Sequence, residues 1–142
     1  MEVSMELFLR FWIAIFPIMA TTNTYAIYFG DASSFLENSY TGRPGEMTAL
    51  AARLFGVWTT LASVVRIACS LYLHNKVLYY VAMFTYLIHI SHFTSEMLIF
   101  KTWNVSMGFK IPVAVSTMTL VWMFIAQWYI EFEEVVVRSK VN

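Results

Sequence analysis

The fold is decided by residues 51–100, which read AARLFGVWTTLASVVRIACSLYL, HNKV and LYYVAMFTYLIHISHFTSEMLIF in that order. The two apolar runs, Ala51–Leu73 and Leu78–Phe100, are each roughly 23 residues long, enough for a helix to cross a hydrocarbon layer of ~30 Å. Only His74-Asn75-Lys76-Val77 separates them. The segment therefore predicts a hairpin of two membrane-spanning helices.

Ionisable side chains lie within this hairpin, at depths where lipid would surround them if they faced outward. They are Arg53, Arg66, His89, His92 and Glu96. An ionisable group at such a depth is costly, so it normally faces protein or water. Each of these residues is therefore a candidate functional residue.

The hairpin geometry gives the depth of each of these side chains. If the turn is centred between Asn75 and Lys76, Arg53 lies about 22 residues before it and Glu96 about 21 after it, so their heights differ by only ~3 Å. Opposite charges at one height can be accommodated together where a lone charge would be costly. We therefore expect an ion pair between Arg53 and Glu96, although Arg53 is also close enough to its helix start to extend to the headgroups.

Arg66 lies at a different depth. It is about 10 residues before the turn and some ~16 Å from the level of Glu96, which argues against a pair between these two. The same count puts it at the level of Thr85 and Tyr86 on the second helix. Because the end of its own helix is about seven residues away, we expect the guanidinium to extend to the headgroups, with a buried position as the alternative.

His89, His92 and Glu96 form the strongest chemical pattern, because spacings of three and four residues put them on one helical face. The pattern favours hydrogen bonding or pairing between helices, and leaves a metal site or an acid–base site as alternatives. A catalytic zinc usually takes three protein ligands, and di-iron sites draw Glu and His from facing helices. The other predicted spans offer no second His and no Glu at this level. We therefore predict no metal, no cofactor and no catalytic residue.

Composition assigns the chain to the membrane. Of its 142 residues, 59% are hydrophobic and 13% are charged, whereas soluble domains average about 25% charged residues. The mean hydropathy is +0.63. The formal net charge is zero, so no basic field indicates a nucleic-acid partner.

We predict an all-α membrane protein, a four-transmembrane-helix bundle formed by a single membrane domain. The domain covers residues 1–142, with spans at about 7–29, 51–73, 78–100 and 108–130, a long polar loop at 30–48 and a polar tail at 131–142. Long loops are often functional, so loop 30–48 is the expected docking surface for a partner.

Four spans put both termini on one side of the membrane. Arg138 and Lys140, near the C-terminus, are similar to the dibasic retrieval signal of endoplasmic reticulum membrane proteins, an address that is read by a receptor in the cytosol. This signal would place both termini in the cytosol and the long loop in the lumen.

Short motifs in the first span, in and after the long loop and along the hairpin are specific enough to indicate a family. They are Asn23-Thr24; Tyr40-Thr41-Gly42-Arg43-Pro44; the run from Leu50 to Thr59 with Arg53, Phe55, Gly56 and Trp58; Arg66; His74-Asn75-Lys76 with Leu78-Tyr79; and His92-Phe93-Thr94-Ser95-Glu96. Together they resemble the ergosterol biosynthetic protein 28 family. The resemblance covers nearly the whole chain, with a similar length and four similarly placed spans.

This resemblance implies a function. Members of that family are regarded as non-catalytic, multi-pass scaffolds of the endoplasmic reticulum membrane. The implied partners are the sterol C-4 methyl oxidase, the decarboxylating 3β-hydroxysteroid dehydrogenase and the 3-keto sterol reductase, besides the lipid bilayer. Arg53, His92 and Glu96 fall on family motif positions, whereas His89 does not, which further weakens the metal interpretation.

One alternative function stays open. The chain could be a lipid- or sterol-binding protein, or a sterol-modifying membrane enzyme that uses His92 and Glu96 as acid–base groups. Such an enzyme would turn over a sterol intermediate by itself, whereas a scaffold would not. Self-association of the chain also stays open.

Overall fold

The structure, a computed structural model, describes residues 2–30, 40–43, 45–103 and 107–133. Within these ranges all regular secondary structure is helical. The helices are α1 (Glu2–Phe29), α2 (Ala49–Leu71), α3 (Lys76–Ser95, continued by a π-helical turn over Glu96–Phe100) and α4 (Met107–Ala126). The all-α prediction is confirmed.

The helices are suited to a membrane. Three segments are long and apolar enough to cross one: Ser4–Phe29, Ala49–Leu71 and Lys76–Phe100. The fourth helix has 20 residues and contains a shorter apolar segment, Ile111–Ala126. Large apolar side chains are exposed along the outer surface, as expected for a bundle surrounded by lipid.

The hairpin turn is held at both of its helix ends. Asn75 is the N-cap of α3, and its side chain accepts a hydrogen bond from the backbone N–H of Leu78 at 3.0 Å. Arg10 of α1 donates through Nη1 to the carbonyls of Ser70 (3.0 Å) and Leu71 (2.8 Å) at the end of α2. Carbonyls at a helix C-terminus lack partners within the helix and favour a positive charge, so Arg10 joins α1 to the turn.

Gly56 lies where α1 crosses α2. Its carbonyl accepts hydrogen bonds from the hydroxyls of Thr60 (2.9 Å) and Thr24 (3.4 Å). A Cβ atom at this position would lie 3.2 Å from Cγ2 of Thr24 and 3.3 Å from Cε2 of Tyr28. The missing side chain therefore lets the two backbones approach closely, as small residues do in membrane bundles.

Buried hydroxyl and indole groups join the remaining helices. Tyr79 of α3 is fully buried and donates its hydroxyl to the carbonyl of Met123 in α4 at 2.7 Å. Trp12 of α1 donates its indole N–H to the hydroxyl of Thr119 in α4 at 2.9 Å. The polar atom of each aromatic side chain thus finds a partner on a neighbouring helix.

At one end of the bundle, here called the terminal end, His74 in the turn contacts both the start of α1 and the segment after α4. Its Nδ1 is 2.8 Å from the carbonyl oxygen of Glu131, and its Nε2 is 3.6 Å from a carboxylate oxygen of Glu6. The backbone N–H of Glu133 donates to the carbonyl of His74 at 2.9 Å. The start of α1 and the segment after α4 therefore meet at the same end, as an even number of spans requires.

Candidate functional site

An open cleft lies at the opposite end, here called the loop end, between the long loop, the start of α2 and the end of α3. It encloses about 370 Å³, a size typical of small-molecule sites. The residues that line it are Tyr40, Arg43, Glu46, Met47, Ala51, Leu54, Phe55, Trp58, His92, Glu96 and Thr102. One wall is apolar and aromatic, and the other carries hydroxyl, imidazole and carboxylate groups.

Four of these side chains form a connected set, here called the polar chain. The hydroxyl oxygen of Tyr40 is 3.2 Å from Nε2 of His92. Nδ1 of the same ring is 4.0 Å from Oε1 of Glu96. The hydroxyl of Thr102 donates to Oε2 of Glu96. The sequence prediction that His92 and Glu96 share a face is confirmed, and the structure adds Tyr40 and Thr102 to them.

The positions of the protons in the polar chain follow from its chemistry. Burial, and secondly the negative charge of Glu96, raises the pKa of Tyr40 above its usual value, so this hydroxyl keeps its proton and can donate it. An ionised carboxylate only accepts, so the histidine nitrogen that faces Glu96 is assigned as the N–H. Nε2 of His92 is then the acceptor for Tyr40.

The end of α3 shapes this arrangement. The helix becomes π-helical at Glu96, and Lys101 closes it with a left-handed φ of 54°. The backbone N–H groups of Lys101 and Thr102 both donate to the carbonyl of Glu96. Single π-helical turns are frequent at functional sites, and this one brings Thr102 back to the side chain of Glu96.

Gly42 docks the long loop onto the end of α3. Its N–H donates to the carbonyl of Thr102 at 2.8 Å. A Cβ atom on Gly42 would lie 2.2 Å from the carbonyl oxygen of Lys101, which no real contact permits. Glycine is therefore required here by close backbone approach, and the approach holds Tyr40 against His92.

Aromatic rings surround the histidine of the polar chain. The ring of His92 lies 5.3 Å from that of Trp58 and 6.5 Å from that of Phe55. His89 lies one turn earlier, 5.8 Å from Trp58 and 4.7 Å from Phe93. His89 therefore belongs to the packing between α2 and α3 and does not line the cleft.

Arg66 is buried, with 6% of its surface exposed. It donates through Nε to the hydroxyl of Thr85 (3.0 Å) and through Nη2 to the carbonyl of the same residue (3.1 Å). Its guanidinium carbon lies 3.9 Å from the centre of the Tyr86 ring. The predicted level of Arg66 is confirmed, but the prediction that it extends to the headgroups is wrong, because α3 offers it these partners within the bundle.

The structure does not bring Arg53 to Glu96. The side chain of Arg53 is exposed, and no ion pair joins it to Glu96 in the described part of the chain. Its carbonyl accepts a hydrogen bond from the hydroxyl of Tyr28 in α1 at 3.4 Å. The expected pair is therefore corrected: the partners of Glu96 are His92, one turn earlier in α3, and Thr102, just after α3. Two side chains at the same height on neighbouring helices need not face each other.

Of the described residues, no group of three or more His, Cys, Asp or Glu side chains is arranged to hold a metal ion. His89 packs among aromatic rings and His92 is bonded to Tyr40. Glu96, the carboxylate of the pattern, is taken up by Thr102 and His92. The hydrogen-bond partners of His92 and Glu96 are Tyr40 of the loop and Thr102 just after α3. The expected hydrogen bonding between helices is therefore not found for these two residues in the described part of the chain.

The remaining motif residues do not belong to the polar chain. Asn23 and Thr41 are exposed, and Lys76 is the exposed first residue of α3. Pro44 of the loop, together with residues 31–39, lies outside the described residues, and so do Arg138 and Lys140 of the expected retrieval signal.

Sequence reasoning missed Thr102 and the role of Tyr40. Tyr40 was identified only as a motif position, because a loop residue has no periodicity that would assign it to a helix face. Thr102 lies beyond the predicted third span. Nothing in its local sequence indicates that the chain turns back to Glu96, because the turn depends on the π-helical end of α3.

Together the fold and the cleft define a small multi-span membrane protein whose candidate site opens at one end of a helical hairpin. The family model described as Erg28 like protein matches residues 9–121. The chain belongs to this family, and the resemblance found in the sequence is confirmed.

The relatives agree with this assignment. The ergosterol biosynthetic protein 28 homolog of Mus musculus is 37% identical over 134 residues, covering 94% of this chain and 95% of the relative. Ergosterol biosynthetic protein 28 of Saccharomyces cerevisiae is 34% identical over 113 residues, covering 80% of this chain and 76% of the relative. No solved structure matches the chain.

Proposed function

We propose that this chain acts in sterol biosynthesis as a non-catalytic scaffold of the endoplasmic reticulum membrane. In this proposal it tethers the sterol C-4 methyl oxidase, the decarboxylating 3β-hydroxysteroid dehydrogenase and the 3-keto sterol reductase. The observation that carries the proposal is similarity along nearly the whole chain to relatives named for ergosterol biosynthesis. The cytosolic placement of both termini through Arg138 and Lys140 belongs to the same proposal.

Two buried polar side chains in the interior of the bundle, Arg66 and Tyr79, have a structural role. Arg66 is engaged by Thr85, and the hydroxyl of Tyr79 is engaged by the backbone of Met123. These contacts join α2 to α3 and α3 to α4. Because a polar group in a membrane interior needs a partner, their chemistry is accounted for by holding the bundle together.

The outer surface offers room for partners. On α1 the side chains of Phe8, Phe11 and Ile15 are more than half exposed, which leaves an apolar face for lipid or for helices of other proteins. Tethering raises the concentration of one enzyme near the product of another without any new chemistry. A sterol intermediate that cannot leave the membrane would then travel only a short lateral distance.

A coupled assay tests this proposal. In membranes lacking the chain, each of the three enzymes should keep its activity when assayed with its own substrate, while conversion through all three steps should slow and intermediates should accumulate. Restoring the chain should restore the coupled rate. Loss of one individual step, restored by the purified chain alone, would contradict a scaffold.

A sterol-modifying enzyme is the second candidate function, and the order Tyr40, His92, Glu96 favours it. A histidine oriented by a carboxylate and bonded to a hydroxyl is the arrangement used in general acid–base catalysis. Under this function, His92→Gln would abolish turnover by the purified chain while enzyme partners still co-purify. Under the scaffold proposal, the purified chain has no turnover to lose.

A further inference from the structure

In the polar chain, the hydrogen-bonding positions that remain unused are all acceptors. The proton of Tyr40 is donated to His92, the N–H of His92 faces Glu96, and the proton of Thr102 is donated to Glu96. What is left facing the cleft is a lone pair on the hydroxyl oxygen of Tyr40 and the second carboxylate oxygen of Glu96, which has only a 4.0 Å contact. A ligand that complements these atoms must donate a hydrogen.

The charges of the residues that line the cleft disfavour an anionic ligand. Glu96 carries the negative charge nearest to the free acceptors. The exposed Arg43 is paired with Glu46 at 3.4 Å, so the cation at the cleft is matched by an anion. A phosphate or sulfate would meet a carboxylate and no free cation among the cleft residues of the described chain, and like charges at close range disfavour binding.

The opposite wall fits a flat apolar body. Phe55 and Trp58 present aromatic rings, and Ala51 and Leu54 complete the wall. Leu54 is 60% exposed on the outer face of α2, so the cleft is continuous with the surface that faces lipid. A ligand can enter sideways from the membrane, with its polar end at the loop end of the bundle.

We propose that this cleft binds a sterol by its 3-hydroxyl, with that hydroxyl donating its hydrogen to Tyr40 or Glu96 and the ring system lying against Phe55 and Trp58. The choice of a sterol among hydrogen-donating lipids rests on the proposed function, whereas the need for a hydrogen donor that is not an anion rests on the geometry alone. The scaffold thereby holds an intermediate as well as the enzymes.

The probe is a photoreactive 3β-hydroxysterol, crosslinked to the full chain in phosphatidylcholine nanodiscs. The competitors are 5α-cholestan-3β-ol, 5α-cholestan-3-one and cholesterol sulfate, which differ in what they present at the 3-position. The stanol is expected to compete best, the ketone to compete roughly threefold to tenfold less well for want of one hydrogen bond, and the sulfate least. Equal competition by the sulfate, or labelling that does not saturate, would overturn the proposal.

Two variants address the site directly. Ala51→Trp fills the cleft and should abolish saturable labelling, while Leu61→Trp, on an exposed face of the same helix, should leave it unchanged.

Tyr40→Phe removes one acceptor and should weaken competition by the stanol roughly threefold to tenfold. Tyr80→Phe, which removes a hydroxyl bonded to Gln127 just after α4, is its control. Equal labelling of all four variants would show that the sterol sits on the general lipid-facing surface and not in the cleft.

A long-chain amine is the other hydrogen donor that the acceptors could take. Stronger competition by octadecylamine than by the stanol would overturn the assignment to a sterol. The test is separable from the scaffold proposal. Recovery of the three enzymes with a chain that binds no sterol would overturn this inference alone, and saturable sterol binding without enzyme recovery would overturn the scaffold alone.

Discussion

At the scale of single residues, Arg66 joins α2 to α3 through contacts that a lysine cannot reproduce. Its planar guanidinium bonds Thr85 through two nitrogens and stacks on Tyr86. Lysine keeps the charge but has neither the planar fork nor the stacking. Arg66→Lys should therefore lower the free energy of unfolding in mixed micelles by about 1–3 kcal/mol.

Arg43→Lys is the matched control for this prediction. Arg43 is exposed and its pair with Glu46 lies at the surface, where such pairs contribute about 0–1 kcal/mol. The control should leave the free energy of unfolding within about 0.5 kcal/mol of the original chain. An Arg66→Lys variant as stable as Arg43→Lys would mean that the buried contacts of Arg66 do not hold α2 to α3.

At the scale of elements, the crossing of α1 and α2 depends on the size of residue 56. Gly56→Ala introduces a Cβ atom 3.2 Å from Thr24, a tight contact that the better helix propensity of alanine, about 1 kcal/mol, partly offsets. Gly56→Leu cannot fit without separating the helices and should cost about 1–3 kcal/mol more than the alanine variant. Thermal unfolding in detergent should rank the original chain and the alanine variant well above the leucine variant, with Val57→Leu on the exposed face as control. A leucine variant that melts with the alanine variant would contradict this crossing.

The docking of the long loop on the end of α3 is a second element-scale contact. Gly42→Ala forces Cβ onto the carbonyl oxygen of Lys101 and should detach the loop, so trypsin should cleave after the exposed Lys101 faster than in the original chain. Gly45→Ala is the control. Gly45 has a φ of +92° but nothing within 4 Å of its would-be Cβ, so its cost is backbone strain of about 1 kcal/mol without loss of the loop contact. Equal cleavage in both variants would contradict the docking.

Part of these elements could be predicted from the sequence. The level of Arg66 opposite Thr85 followed from counting residues away from a four-residue turn, because a short hairpin fixes the relative height of two helices. The same residue count also predicted a pair between Arg53 and Glu96, and that prediction was wrong. Height along a hairpin says nothing of rotation about each helix axis, and the side chain of Arg53 is exposed.

The candidate site shows a second limit. His92 and Glu96 were found because helical periodicity puts them on one face. Thr102 and the contact with Tyr40 were not found, because they depend on a π-helical turn and on a loop that folds back over it. Neither irregular backbone nor long-range loop docking leaves a periodic pattern in the sequence.

At the scale of the whole molecule, the two ends of the bundle should face opposite sides of the membrane. Lys76 is at the terminal end and Glu46 is at the loop end, and both side chains are exposed. Cys69 is free and fully buried, so new cysteines can be labelled without background. In sealed microsomes, an impermeant maleimide should label only one of the Lys76→Cys and Glu46→Cys variants before permeabilisation and both afterwards. Labelling of both in sealed vesicles would contradict the topology.

The scaffold is the central claim about the whole molecule, and co-purification tests it most directly. The tagged chain is purified from membranes in mild detergent and its partners are identified by mass spectrometry, beside a parallel purification of the tagged C-4 methyl oxidase from membranes with and without this chain. We expect the oxidase, the decarboxylating dehydrogenase and the reductase to be enriched with the chain over bulk membrane proteins, and the three enzymes to separate from one another when the chain is absent. Enzymes that stay together without the chain, or a chain recovered without them, would contradict the account.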